Sequence, residues 1–207
     1  MDAVVNPDRR QRQVARTEQL IVRAATELFL ADGYVPTTLA AVAAAADVGL
    51  RTVYVRFGTK AALFKRVVDV AIVGDTEEVD VLGRASTGDA FNAPTVERRV
   101  AAMAAVGRAI MARTGALFAV AQQAATVEPL IAEQWQSGRE QSRHVQRVVW
   151  TKMADDGLLP EDHDIDRIID TASVLGAAET YLLITRMLGW DLDTYETWLR
   201  DTLIRLV

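Results

Sequence analysis

A chain of 207 residues, half of them hydrophobic, is long enough for one or two domains and a substantial core. It holds no cysteine, which excludes disulfides, a thiol nucleophile and any cysteine-based metal site. The net charge of −5 argues against a chain that binds nucleic acid along its whole length, but the charge is unevenly placed. Residues 1–66 carry 10 Lys/Arg against 6 Asp/Glu, a net +4, and residues 67–207 carry 13 against 22, a net −9.

Only 6% of positions are aromatic and Ala, Leu and Val are abundant, so helices are favoured over sheets. The first twenty residues are polar and basic, with no apolar core of a signal peptide. No apolar run of transmembrane length is evident, and a cytoplasmic protein without membrane contact is expected. Residues 1–15, with Arg9, Arg10 and Arg12, read as a basic flexible arm. From about Arg16 to Ala31 the helical spacing of Ile21, Ala24, Ala25, Leu28 and Phe29 predicts the first helix. Asp32-Gly33 ends it, and Gly33 suits a left-handed cap. Thr38 is the N-cap of a second helix that runs to about Ala45. Asp47-Val48-Gly49 forms a turn, and a third helix covers about Leu50–Arg56. Thr59 caps a fourth, with Leu63, Val67, Val70 and Ala71 on one face, extending to about residue 82.

Residues 83–94, GRASTGDAFNAP, read as a loop. Further helices are predicted at about 95–112, 115–126, 129–156, 164–188 and 193–206, which makes about nine in all. Strand alternation and internal repeats are not apparent. The fold class is therefore all-α, with a helix-turn-helix unit at residues 16–66 and a larger helical domain at 67–207.

The helix-turn-helix pattern sits in the basic segment. Ala43, Val48 and Val53 are small or apolar where its two helices must meet. Leu50, Arg51 and Thr52 fall in the first turn of the second helix, the end that enters the major groove. Arg51 has the donors for a guanine edge, and Tyr54 and Arg56 can reach phosphates. Lys60 stands at the N-terminus of the next helix, where exposed N–H groups already attract anions.

Gly33-Tyr34, Thr37-Thr38, Ala46-Asp47-Val48, Thr52-Val53-Tyr54, Phe57-Gly58, Lys60 and Ala62-Leu63 stand at spacings that resemble the TetR family of bacterial transcriptional regulators. The resemblance covers about residues 16–66. It implies a three-helix DNA-binding domain, a helical ligand-binding and dimerising domain, and repression relieved by a small molecule. By position it places Thr38, Thr52, Tyr54 and Lys60 at phosphates and Leu50 and Arg51 at the bases. The chain departs from the family pattern at Gly49, at Ala40 and Ala41, and at Val55-Arg56. Double-stranded operator DNA, a small-molecule effector and a second copy of the chain are the implied partners, with no cofactor and no metal.

The last two predicted helices carry apolar stripes that the resemblance assigns to a four-helix dimer interface. The candidate residues are Ile168, Ala172, Leu175, Gly176, Leu182, Tyr195, Trp198, Leu199 and Leu203, and the same side chains also suit an internal core. The middle helices mix bulky and polar groups, as ligand sites do. Met103, Met111, Phe118, Gln122, Trp135, Arg139, His144 and Trp150 are the candidate pocket residues. An apolar or amphipathic effector fits that set, and control by a protein partner, or constitutive binding, is the alternative. Enzyme signatures are weak: GRASTGD has Asp89 where a phosphate-binding loop needs Lys, and His144 and His163 lie on different elements.

Overall fold

The computed structural model describes residues 7–74 and 88–207. Among the described residues there are ten helices and no strands. They are α1 (Pro7–Asp32), α2 (Leu39–Ala45), α3 (Leu50–Phe57), α4 (Lys60–Val73), α5 (Gly88–Asn92), α6 (Val96–Ala124), α7 (Pro129–Asp155), α8 (Ile165–Leu175), α9 (Ala178–Leu188) and α10 (Leu192–Ile204).

The local signals explain most boundaries. Thr38, Thr59, Thr95, Asp164 and Asp191 each cap a helix by accepting a backbone N–H through a side-chain oxygen. Pro129 opens α7, where its missing N–H costs nothing. Gly33 adopts φ +83 just past α1, and its N–H reaches the Phe29 carbonyl.

Four boundaries differ from the sequence expectation. First, α1 begins at Pro7 rather than near Arg16, so residues 7–15 are helix and not flexible arm. That stretch holds three Arg and two Gln, good helix formers that can extend an already nucleated helix, and residues 11–15 are exposed. Second, α5 occupies part of the expected loop, while residues 75–87, where the end of the fourth predicted helix and the start of that loop fall, lie outside the described residues. Third, α6 runs unbroken through the gap expected near Thr114-Gly115. Fourth, the single helix expected at 164–188 is two, bent by 50° at Gly176-Ala177. There the Thr180 hydroxyl donates to the Val174 carbonyl at 2.5 Å, satisfying a terminal acceptor of α8 that a continuous helix would have used.

Two cores hold the bundle. The first joins Ile21, Ala25 and Phe29 of α1 with Val42, Val53, Leu63 and Phe64, and continues into Leu117 and Ala121 of α6 and Ile131 of α7. Phe29, Tyr34 and Phe64 meet there as an aromatic trio, with ring centroids 4.9–5.9 Å apart. The second core combines Val100 and Ala104 of α6, Trp150 and Met153 of α7, Ile169 of α8, and Tyr195, Leu199 and Leu203 of α10. Because both cores use α6, this 29-residue helix is the spine of the molecule. By length and composition alone α6 is apolar enough to cross a membrane. It instead carries Arg99, Arg108 and Arg113, each bound to a neighbouring segment.

Candidate nucleic-acid interface

The turn between α2 and α3 is built from backbone contacts. Val48 N–H reaches the Ala43 carbonyl at 3.0 Å, and Asp47 takes φ +52, a left-handed conformation that Asp tolerates better than most residues. Gly49 starts α3 without a side-chain cap, and the Thr52 N–H reaches the Gly49 carbonyl at 2.8 Å. Leu39, Val42, Ala43 and Ala46 bury one face of the preceding segment, while Ala40, Ala41, Ala44 and Ala45 face outward. Thr38 is exposed and its Oγ1 accepts the Ala41 N–H at 3.1 Å.

On α3, Val53 is fully buried and Phe57 packs against the first core, so the opposite side of the helix faces outward. At 3.6 residues per turn, Arg51 and Val55 lie at the centre of that outward side, with Thr52 and Tyr54 flanking them. Leu50, Arg51, Thr52, Tyr54 and Val55 are all exposed. The sequence reading named four of these five as DNA contacts, and Val55, exposed beside them, was not among them. The signal that finds it is the helical period applied from Val53.

Two expected phosphate ligands are engaged elsewhere. Arg56 Nη1 bonds Glu18 Oε2 of α1 at 3.1 Å, and Arg66 Nε of α4 bonds the other oxygen of the same carboxylate at 2.8 Å. Lys60 Nζ donates to the Tyr34 and Val35 carbonyls at 2.8 and 3.1 Å and lies 4.3 Å from the centre of the Tyr34 ring. Burial lowers the Lys60 pKa, an effect opposed by the Glu128 carboxylate. Both cations act first as struts of the three-helix unit. Arg12 and Arg16 are exposed on α1.

Of the expected pocket residues, Phe118, Gln122 and Trp135 come together between α6, α7 and α9. The Phe118 and Trp135 rings are edge to face at 5.7 Å. Trp135 Nε1 and Arg139 Nε both donate to Glu179 Oε1, at 2.8 and 2.6 Å, and Gln122 Oε1 accepts from Arg186 at 3.3 Å. Met103 is partly buried against the second core. Met111 and Trp150 are buried in that cluster. His144 is corrected to an exposed position on α7, and Arg139 is exposed at the rim.

The expected dimer residues need a similar correction. Ile168, Ala172, Leu182, Tyr195, Leu199 and Leu203 are buried within this chain, and Leu175 and Trp198 pack against the same core. Gly176 ends α8. The stripe was real, but its period marks the inward face. The outward apolar residues are Val174, Leu183, Met187 and Leu188 on α8 and α9, with Met187 71% exposed.

Two polar links tie the larger bundle to Tyr34 of the three-helix unit and to the end of α4, the helix that leads out of that unit. The Tyr34 hydroxyl donates to Glu128 Oε2 at 3.2 Å, at the residue that opens α7. Burial first, and then the Glu128 charge, push the Tyr34 pKa above its ordinary value. Arg113 of α6 donates from Nε and Nη2 to the Ala71 and Ile72 carbonyls at 2.8 and 2.7 Å, capping the C-terminal end of α4.

A short outward-facing helix with Arg, Thr and Tyr, held by a tight turn against a second helix, defines a helix-turn-helix DNA-binding regulator. Residues 21–67 match the family of bacterial regulatory proteins, tetR family, so the chain carries the DNA-binding domain of that family. The transcriptional regulator TcmR of Streptomyces glaucescens is 33% identical over 112 residues, which are 52% of this chain and 42% of that relative. The chain thus matches less than half of that relative's length. A protein of Mesorhizobium loti described as a TetR-family transcriptional regulator superposes with a TM-score of 0.70 at 20% identity, covering 94% of this chain and 96% of its own. NalD of Pseudomonas aeruginosa, the secondary repressor of the MexAB-OprM multidrug efflux pump, superposes with a TM-score of 0.65 at 18% identity, covering 93% and 96%. At such identities the structural likeness establishes the fold.

Proposed function

We propose that the chain is a homodimeric repressor that leaves its operator when a small apolar or amphipathic ligand enters the larger helical domain. The observation that carries this reading is the outward face of α3, where Arg51, Thr52 and Tyr54 are exposed while Val53 and Phe57 anchor the helix. Residues 16–66 serve as the DNA-binding domain and 67–207 as the effector and dimerisation domain. NalD, a repressor of the same fold, supports the repressor role.

A second copy covers the apolar face of α8 and α9, since Val174, Leu183, Met187 and Leu188 are left exposed by the described residues of one chain. Two-fold pairing of that face presents two copies of α3 to a near-palindromic site, with half-sites about 34–36 Å apart. The ligand site lies around Phe118, Gln122 and Trp135, where an aromatic pair adjoins a few directed polar groups.

The test uses purified full-length protein and the DNA upstream of its own reading frame. A dimer is expected in light scattering, with salt-dependent preference for that DNA over random sequence. The double variant Leu183→Asp/Met187→Asp is expected to be a folded monomer with specific binding lost. No preference for any upstream DNA would remove the regulator reading. A wild-type monomer, or a double variant that stays dimeric, would remove the proposed interface.

A further inference from the structure

Val55 is the most exposed large hydrophobic side chain among the described residues, at 78%. It stands one helical turn from Arg51, at the centre of the outward side of α3. Folding does not explain it. The side chain covers no core, and a β-branched residue is a poorer helix former than the Ala or Leu that could stand there. Its neighbours on that side are Arg51, Thr52 and Tyr54, which are polar and suited to phosphates and base edges. Valine can donate to neither. In the major groove the apolar feature that a base edge offers is the 5-methyl group of thymine.

We propose that Val55 packs on a thymine methyl in each operator half-site, so that the chain reads an A·T pair near, but not adjacent to, the base read by Arg51. The inference rests on the operator-binding role proposed above. Its geometry is specific. Four residues of helix rise about 6 Å, and base pairs stack about 3.4 Å apart. The thymine therefore lies roughly two base pairs from the guanine that Arg51 contacts.

The experiment selects binding sites for the full-length protein from random-sequence DNA, then replaces each thymine of the selected site with deoxyuridine, which removes only the methyl. One thymine per half-site is expected to weaken binding about four-fold on replacement, the worth of one buried carbon. In Val55→Ala, which leaves the core untouched, that thymine and its deoxyuridine form are expected to bind alike, while any other methyl effects persist. Recovery of no site would overturn the operator role, and this inference with it. A recovered site that is indifferent to deoxyuridine, or a Val55→Ala protein that keeps the full discrimination, would overturn this inference alone.

Discussion

Within α3, side chains of similar chemistry do opposite things. Arg51 is exposed on the outward side, whereas Arg56 is tied to Glu18, which also holds Arg66. The sequence shows that both are arginines on one short helix. It does not show that a carboxylate 38 residues earlier in the chain waits for one of them. Lys60 follows the same logic, since its partners are carbonyls of the loop at Tyr34 and Val35. Arg51→Ala is therefore expected to relax specificity at one base position, at a cost of about 1–3 kcal/mol if the contact is bidentate. Arg56→Ala should instead lower stability by up to about 1 kcal/mol, as partly exposed ion pairs do. Its effect on stability should disappear in a Glu18→Gln background. Equilibrium binding over a salt series separates the two, because loss of a phosphate contact reduces the salt slope by about one and loss of a strut does not. A reduced slope for Arg56→Ala would return it to the phosphate set.

At the level of helices, two glycines have roles that the sequence reading did not find. Helices expected at about 95–112 and 115–126 left a gap at residues 113–114, beside Gly115. In the structure α6 passes straight through, and Gly115 is where the Tyr181 ring of α9 presses on it. A Cβ there would sit 2.7 Å from Tyr181 Cε1, and the ring is held in turn by Tyr195 at a centroid distance of 5.0 Å. Gly176 looked like a small residue inside one long helix, yet it ends α8. Helical period and capping residues were legible because they act over three or four positions. Whether a glycine marks an end or a close approach depends on what another helix brings to it. Gly115→Ala tests this reading. Added helix propensity alone would stabilise by about 1 kcal/mol. Overpacking against Tyr181 should win and destabilise by about 1–3 kcal/mol, read as a lower midpoint in denaturant with an unchanged slope. A raised midpoint would mean that Tyr181 moves aside freely.

For the molecule as a whole, the proposed release by a ligand requires that occupancy of the larger domain reach α3. Two polar links bracket the route: Arg113 grips the end of α4, and Tyr34 reaches Glu128 at the start of α7. α7 also carries Trp135 and Arg139, which converge on Glu179 of α9. A ligand that separates Phe118 from Trp135 would shift α7 and, through Glu128, pull on the three-helix unit. The chain of contacts is a route only if both ends bias it, so the measurement must be of coupling. Ligand affinity is measured with and without saturating operator. A ratio of 100 corresponds to about 2.7 kcal/mol, and operator affinity must change by the same factor when ligand is bound. Tyr34→Phe keeps the ring that packs on Phe29, Phe64 and Lys60, and deletes only the donor to Glu128. It is expected to leave each separate affinity within a few-fold while the ratio falls toward one. Arg113→Gln should have the same effect from the other end of α4. If both variants keep the full ratio, the domains communicate through the shared apolar core at Leu117, Ala121 and Ile131 rather than through these hydrogen bonds.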